Sequence, residues 1–128
     1  MTIAAIGYLR IAATDTDAWM AFGTGVLGLM DAAREDAAGA RFLRMDNHPF
    51  RFMIEPASKD GLIAAGLECR GRSEWLAVCE RLGSAGHTLQ AGPADEAARR
   101  CVTEYVTVED PCGNTSSSTM VVAWTMRR

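Results

Sequence analysis

The chain has 128 residues, of which 48% are hydrophobic and 23% are charged, and its formal net charge at pH 7 is -3. This composition is typical of one globular domain, and the excess of acidic residues disfavours a nucleic-acid-binding surface, which needs clustered Lys and Arg. No apolar run reaches the roughly 18 to 20 residues of a membrane span, and the amino terminus lacks the basic segment and cleavage site of a signal peptide. We therefore expect a cytoplasmic protein that binds neither nucleic acid nor a membrane.

The first half of the chain predicts one helix among several strands. Residues 6–12 have a strand composition, and the Thr and Asp residues at 14–17 are typical helix N-cap residues. A helix follows over residues 18–27, with apolar side chains at helical spacing, and Gly28 is placed to end it. Short strands are expected at 30–34, 41–45 and 50–55, so the predicted order is β-α-β-β-β.

The same order returns in the second half. A strand is predicted over residues 62–69, followed by a helix over 74–85 that Ser73 would cap and Gly86 would end. Further strands are expected at 87–90 and 100–108, before a turn at 110–114 that introduces a last strand. The cysteines form no C-x-x-C pair and lie among apolar residues, which favours reduced thiols used as small hydrophobes: Cys69, Cys79, Cys101 and Cys112.

An internal repeat of this kind predicts the architecture more strongly than any local motif. Each half offers one sheet face and one helix, and neither half alone could bury both. We therefore predict an α+β fold in which two paired βαβββ modules, about 4–57 and about 62–124, form a half-barrel of mixed sheet with outer helices. Both modules would belong to a single domain over residues 1–128.

Four segments of the chain resemble one enzyme family in their order and spacing. The segments are IGYLRIAATDTDAWMAFGTGVLGL, LRMDNHPFRFMIEP, AAGLEC and ARRCVTEYVTVEDPCGN. They resemble the amino-terminal domain of two-domain extradiol ring-cleavage dioxygenases of the 2,3-dihydroxybiphenyl 1,2-dioxygenase type. That family belongs to the vicinal oxygen chelate superfamily, with glyoxalase I and the bleomycin-resistance proteins. The resemblance implies a homo-oligomeric parent enzyme that opens catechol-type rings with Fe(II) and O2, and a carboxy-terminal catalytic domain that is missing here.

The resemblance also implies that this chain holds no metal and no catalytic residue. In the family, Fe(II) is held by two histidines and one glutamate of the carboxy-terminal domain. The corresponding positions in this chain are Tyr8, approximately Ala64, and Ser117, and none of them is a good Fe(II) ligand. His48 and His87 are too far apart in sequence to suggest a site, and we expect exposed or capping histidines. Fe(II) is therefore expected in the full-length parent only.

The carboxy-terminal segment departs from the family pattern. Family members follow the turn Asp-Pro-x-Gly-Asn with a strand of the form Leu-Glu-Leu-Tyr-Tyr-Gly, whereas this chain continues with TSSSTMVVAWTMRR. Restoring one nucleotide after the Thr115 codon can encode the family strand, and Met120 followed by valine then forces its glycine. We therefore expect a frameshift near residues 114–116. The apolar run at 120–124 would leave hydrophobic groups exposed or a strand edge unpaired, which would favour aggregation or dimer formation.

Two alternatives to a catalytically inactive dioxygenase domain stay open. The chain could be a stand-alone, metal-free small-molecule binder that resembles the bleomycin-resistance proteins. It could also be a one-domain metal enzyme that dimerises and recruits Glu55 or Glu68 as ligands.

The G-x-G-x-x-G pattern at residues 23–28, with Asp46 downstream, follows a helical stretch and not a strand, so we interpret it as a helix end. The Ser and Thr residues at 115–119 favour a linker or a misread strand over a nucleophile.

Overall fold

The computed structural model describes residues 3–111 and 119–124, which contain eight strands and three helices. The helices are α1 (Thr16–Gly25), α2 (Arg72–Ser84) and α3 (Ala94–Arg99). The strands are β1 (Ile3–Ala13), β2 (Met30–Asp31), β3 (Arg41–Arg44), β4 (Phe52–Pro56), β5 (Gly61–Cys69), β6 (Gln90–Ala91), β7 (Glu104–Glu109) and β8 (Thr119–Trp124). None of the described helices is long and apolar enough to cross a membrane.

Two compact units are present, and each contains one copy of the predicted repeat. The first unit is Tyr8–Ile63, and the second consists of residues 3–7, 64–111 and 119–124. In the first unit the strand order is β2-β3-β4-β1, and in the second it is β5-β8-β7-β6. The first strand of each module is parallel to the last, and the other pairings are antiparallel. The α+β class, the mixed sheets and the βαβββ repeat are thus confirmed.

In the first unit, α1 covers one face of the strands. Ala13, Met20, Leu43 and Ile54 are buried together beneath it. Asp15 caps the helix, because its Oδ1 accepts a hydrogen bond of 2.9 Å from the Ala18 amide. Gly28 has a φ of 72°, and the next amide, that of Leu29, returns to donate to the Gly23 carbonyl at 2.9 Å. The capped helix is confirmed, although it begins and ends two residues earlier than predicted.

The strand predicted at residues 30–34 is largely wrong, because β2 contains only Met30 and Asp31. The Asp31 carboxylate accepts a hydrogen bond of 2.8 Å from the Ala33 amide, and Ala33 has a φ of 49°. This local side-chain bond turns the chain out of the extended conformation. The predicted strands at 41–45 and 50–55 are confirmed to within two residues as β3 and β4.

In the second unit, α2 packs over a cluster formed by β5, β7 and β8. Cys69, Trp75, Val78, Val106 and Val122 are buried in it. Trp75 anchors the helix further, since its Nε1 donates a hydrogen bond of 3.0 Å to the Val122 carbonyl. The second predicted helix is therefore confirmed, and its buried face is defined by these contacts.

The capping role predicted for Ser73 is wrong. The N-cap residue is Gly71, which provides no side-chain cap, and Ser73 lies inside α2, where its Oγ donates to Glu74 Oε2 at 2.9 Å. At the other end Gly86 has a φ of 90°, and the following amide, of His87, donates to the Leu82 carbonyl at 3.0 Å. The predicted role of Gly86 in ending the helix is confirmed.

Residues 87–103 differ most from the prediction. Only Gln90 and Ala91 form a strand, and the six-residue α3 that follows was not predicted. Its signals are a proline at the N-cap position, two acidic residues in its first turn and Arg99 in its last. Arg100 ends α3 instead of beginning a strand, Cys101 takes a φ of 57°, and β7 starts only at Glu104.

The expectation of an unpaired strand edge at residues 120–124 is wrong. β8 pairs with β5 on one side and with β7 on the other, so both of its backbone edges are used. Val122 and Ala123 are 1% and 2% exposed. Adjacent strand residues point to opposite sheet faces, so at Val122 and Ala123 both faces of the strand are buried, which accounts for the lack of polar alternation at these two positions. The expected Asp-Pro-Cys-Gly-Asn turn and the proposed frameshift point fall mainly on residues 112–118, outside the described part of the chain.

Three of the four cysteines lie in the described residues. Cys69 is buried, Cys79 and Cys101 are partly buried, and all three are free thiols. Cys69 lies in the core of the second unit, and Cys79 packs against the same cluster. The expected use of cysteines as small hydrophobes is confirmed for Cys69 and Cys79, and Cys112 lies outside the described residues.

Candidate functional site

Tyr8, the first predicted pseudo-ligand position, lies in an aromatic cluster of the first unit. Its neighbours Ile11 and Ala13 pack beneath α1, so the alternation along β1 places Tyr8 on the opposite sheet face. Tyr8 is 5% exposed, its ring lies 5.5 Å from that of Phe50, and Phe50 lies 5.1 Å from Phe42. A phenol in this surrounding contributes packing and is a poor donor for Fe(II).

The aromatic cluster also holds a cation. The Arg34 guanidinium carbon lies 4.8 Å from the centre of the Phe42 ring and 5.8 Å from that of Phe50. Both distances fall within the range of a cation–π contact. Arg34 follows the turn that ends β2, so the unpredicted early end of that strand places this side chain against the two rings.

Glu55, a candidate ligand of the alternative metal enzyme, is engaged by Arg10 on the same sheet face. Arg10 Nε and Nη2 donate to the two carboxylate oxygens, each at 2.8 Å. The two side chains are 15% and 14% exposed. The parallel register of β1 and β4 places Arg10 opposite Met53 and Ala12 opposite Glu55. Since both oxygens already accept hydrogen bonds from a fixed guanidinium, the geometry is that of a structural ion pair.

In the second unit, Ala64 and Glu68 share the face of β5 that lies opposite α2. Cys69 lies beneath α2, so Ala64, Gly66 and Glu68 alternate onto the other face. Ala64 is 2% exposed and has no donor atom, and Glu68 is 9% exposed. A Cβ added at Gly7 would lie 3.4 Å from the Glu68 Cβ, so this glycine gives Glu68 its space. Ser117, the third pseudo-ligand position, lies outside the described residues.

A buried arginine lies on the same face of the second unit, and the sequence did not point to it. Arg100 is 7% exposed, and its guanidinium carbon lies 4.2 Å from the centre of the Tyr105 ring. Its Nη2 lies 3.6 Å from Glu96 Oε2 one turn earlier in α3. Gly92 packs directly on Tyr105, because a Cβ there would lie 1.8 Å from the ring carbon Cζ. The sequence analysis missed this arrangement because it depends on α3, a helix that was not predicted.

The residues present do not fit the Fe(II) site of the resembled family. Tyr8 offers a buried phenol and Ala64 a methyl group, and His48 and His87 belong to separate loops of separate units. Among residues 3–111 and 119–124, no group of three or more His, Cys, Asp and Glu side chains could hold a metal ion.

The histidines and the glycine pattern have local roles. His48 donates its backbone amide to Asp46 Oδ1 at 3.0 Å, while Asp46 also accepts from Arg51 Nη2 at 2.6 Å. These bonds, chiefly that from Arg51, lower the pKa of Asp46. Asp46 is thus engaged within its own turn. The glycine pattern at residues 23–28 forms the end of α1 and the following turn, as interpreted from the sequence.

One larger cavity lies in the second unit. Its volume is about 580 Å³, within the range of small-molecule pockets. The lining is mainly polar, whereas ligand pockets are mostly apolar with a few polar groups. The lining residues are Gly86, His87, Thr88, Gln90, Thr107, Val108, Glu109 and Asp110. This cavity therefore does not favour the alternative of a stand-alone binding protein.

Comparison with known proteins identifies the relatives of the chain. Residues 6–57 match the family model of the dihydroxybiphenyl dioxygenase BphC D1 domain. The iron-dependent extradiol dioxygenase of Rhodococcus jostii (strain RHA1) is 39% identical over 115 residues, which are 90% of this chain and 38% of that protein. The biphenyl-2,3-diol 1,2-dioxygenase of Paraburkholderia xenovorans (strain LB400) is 34% identical over 113 residues, 88% of this chain and 37% of that protein.

Solved structures show the same fold. The crystal structure of BphC, a halotolerant catechol dioxygenase, superposes with a TM-score of 0.87 at 25% identity, over 98% of this chain and 41% of that one. A catechol 2,3-dioxygenase structure gives a TM-score of 0.88 at 25% identity, over 98% of this chain and 40% of that one. The chain thus spans well under half the length of these relatives. Its homologues and structural neighbours are extradiol dioxygenases of the vicinal oxygen chelate fold, and the chain corresponds to their amino-terminal part.

Proposed function

We propose that this chain is the non-catalytic amino-terminal domain of an extradiol dioxygenase whose full-length form opens catechol-type rings with Fe(II) and O2. Support for the activity comes from the relatives, which are named as an iron-dependent extradiol dioxygenase and a biphenyl-2,3-diol 1,2-dioxygenase. Those names also support a substrate with two adjacent ring hydroxyls, such as 2,3-dihydroxybiphenyl. The iron and the ring-opening chemistry belong, in this proposal, to the part of the parent that the chain does not match.

The observation that carries the proposal is the occupancy of the ligand positions by structural side chains. Tyr8 is packed on Phe50, and Ala64 is a buried methyl group. In the first unit, the carboxylate of Glu55 is held at both oxygens by Arg10. A catechol-bound Fe(II) needs histidine and carboxylate donors with open positions beside them, and these side chains offer packing and ion pairing instead. The domain would act by supporting the catalytic part of the parent and by subunit contacts.

The compartment proposed is the cytoplasm. The three described cysteines are free thiols, which are typical of a reducing environment. Fe(II) chemistry also requires that the metal stay reduced, and a reducing compartment supports that. Fractionation of the producing cells, with detection of the chain in each fraction, would test this assignment, since recovery outside the cytoplasmic fraction would contradict it.

The proposed function is tested by a domain exchange. Residues 1–111 of this chain would replace the matching segment of the Rhodococcus jostii dioxygenase, and ring cleavage of 2,3-dihydroxybiphenyl would be followed by absorbance of the yellow product. We expect activity from the chimera, and none from this chain alone or from the relative without its first domain, when each is supplied with Fe(II). Ring cleavage by the 128-residue chain alone would refute the proposal.

A further inference from the structure

Glu68 occupies the position in the second module that Ala12 occupies in the first. Each lies in the first strand of its module, one residue before a side chain that is buried beneath the helix, Ala13 or Cys69. In both modules this strand pairs in parallel with the last strand, and the helix N-cap residue follows three positions later. The two modules can therefore be compared residue by residue along this strand.

The cation that engages the carboxylate of the first module has no equivalent in the second. Arg10, which holds Glu55 at both oxygens, lies two residues before Ala12 in β1. The residue two positions before Glu68 in β5 is Gly66. The second module thus has a carboxylate on this sheet face, but only a hydrogen atom where the first module has a guanidinium side chain.

The Glu68 carboxylate is buried, yet its oxygens can be reached. Glu68 is 9% exposed, and among the residues that the structure describes it forms neither a hydrogen bond nor an ion pair. Its oxygens are not among the described side-chain atoms that are sealed from solvent without a hydrogen bond. A group of about the size of water can therefore touch them. Because a buried charge without a partner is costly, this position favours a bound donor.

Small residues surround the carboxylate. Glu68 Oε2 lies 3.7 Å from the place that a Cβ of Gly7 would take. Ala123 lies opposite Glu68 on β8, and Ala64 and Gly66 share its face of β5. None of these four neighbours has a polar side chain, so they contribute no side-chain donor and take up little volume beside the carboxylate.

The chemistry of this position suits a compact cation that donates N–H hydrogen bonds. Arg100 lies on the same face, but it stacks on Tyr105, which is two strands from Glu68 and about 10 Å away by the strand spacing. A metal ion does not fit, because the described residues contain no group of three or more metal-ligating side chains. A primary ammonium group is a compact charge with three donors, and its bonds to a carboxylate are charge-assisted.

We infer that Glu68 and the small residues around it form a binding site for the primary ammonium group of a small organic amine. The ammonium engages Glu68 as the Arg10 guanidinium engages the carboxylate of the first module. A single charged contact supports only weak binding, with a dissociation constant of about 1 to 10 mM. The site goes beyond the proposed function, because it depends on neither iron nor the catalytic part of the parent.

The test is thermal unfolding of the purified 128-residue chain with methylammonium chloride as the probe. The unfolding midpoint should rise by about 2 to 4 °C at a concentration roughly tenfold above the dissociation constant. Tetramethylammonium chloride at the same ionic strength is the control, and it should leave the midpoint unchanged because it has no N–H donor. In a chain labelled with carboxyl-¹³C glutamate, the Glu68 resonance should shift with the same saturation curve.

Glu68→Gln is the decisive variant. It removes a buried charge that has no partner in the chain, so the midpoint without amine should rise by about 2 to 5 °C. The dissociation constant for methylammonium should rise about tenfold or more, because the charge-assisted bond is lost. Glu104→Gln is the matched control, since it removes an exposed carboxylate of the same unit and should keep the response to methylammonium.

Saturable stabilisation by methylammonium that shifts the Glu68 resonance and disappears in Glu68→Gln supports the site. An unfolding midpoint that methylammonium leaves unchanged overturns it. Equal stabilisation by tetramethylammonium, or an undiminished response in Glu68→Gln, overturns it as well. A Glu68→Gln variant that is less stable than the unmodified chain, or that fails to fold, also counts against the site, because Glu68 would then be held by groups of the chain itself.

Discussion

Arg10 donates two hydrogen bonds to Glu55, one to each carboxylate oxygen, and both are 2.8 Å long. The residues lie on adjacent parallel strands, and little of either side chain reaches solvent. A bidentate pair of this kind is geometrically specific and strong for an ion pair. The pair holds the two side chains together on the sheet face opposite α1. It also engages Glu55, the carboxylate that the sequence had suggested as a possible metal ligand.

Removing one partner of this pair should cost measurable stability. Glu55→Gln leaves the mostly buried Arg10 guanidinium with a neutral partner, and we expect the free energy of unfolding to fall by about 2 kcal/mol. Urea denaturation followed by circular dichroism measures the change. The control is Glu104→Gln, which breaks an ion pair with Arg72 whose side chains are 57% and 41% exposed and should cost at most about 0.5 kcal/mol. Equal losses in the two variants would contradict a structural role for the Arg10 pair.

Gly92 is required by the ring that packs on it. A Cβ at this position would lie 1.8 Å from Tyr105 Cζ, and the ring is confined because Arg100 stacks on it at 4.2 Å. We expect Gly92→Ala to lower the unfolding free energy by about 2 to 3 kcal/mol, as overpacking does. Gly83→Ala is the control: a Cβ there meets nothing within 4 Å inside α2, so alanine should stabilise by up to about 1 kcal/mol. The comparison fails if both variants shift the thermal midpoint in the same direction.

The hydrogen bond from Trp75 Nε1 to the Val122 carbonyl joins α2 to β8. Trp75→Phe keeps an aromatic ring but removes this donor, beside a residue that is 1% exposed. We expect a loss of about 1 kcal/mol, the net contribution of one hydrogen bond. Amide hydrogen exchange gives a second reading: the Val122 amide should be among the most protected in the native chain, because β8 has a partner strand on each side. Rapid exchange at Val122 would contradict the position of β8.

The Cys69 thiol should be inert in the folded chain. Burial, with a smaller contribution from Cys79, raises the pKa of Cys69 from 9.0 to about 11. The neutral thiol is thus favoured in the folded state, so its contribution to stability is complete below about pH 9 and is lost as the pH rises through 11. Iodoacetamide labelling with mass spectrometry at pH 8 should leave Cys69 unmodified until urea unfolds the chain. Labelling of native Cys69 as fast as that of a free thiol would contradict its burial.

The sequence predicted the repeat well because both halves show the same periodic apolar pattern, and helices capped by Asp15 or ended by Gly86 leave local signals. It failed where a local hydrogen bond or strand pairing decides the structure. Asp31 ends β2 through its own side chain, and α3 is too short for a periodic pattern. The strand β8 looked unsuitable because its pairing with β5 joins residues far apart in sequence.

For the candidate site, the sequence predicted only which positions lack a good metal ligand. The resemblance identified Tyr8 and Ala64 as positions without good metal donors, and the structure shows the packing around each of them. It did not predict the Arg10 pair with Glu55, which depends on the register between two parallel strands. The stacking of Arg100 on Tyr105 required α3, which the sequence had not revealed. The frameshift hypothesis concerns residues outside the described part of the chain and stays a prediction.

The iron content of the purified chain tests the central claim most directly. The chain would be incubated anaerobically with Fe(II), freed of loose metal by gel filtration and measured by inductively coupled plasma mass spectrometry, with the Rhodococcus jostii dioxygenase as the positive control. A non-catalytic amino-terminal domain predicts far less than one iron per chain, beside about one per subunit in the control. One iron bound per 128-residue chain, lost in a Glu68→Gln variant, would contradict the account and favour a one-domain metal enzyme.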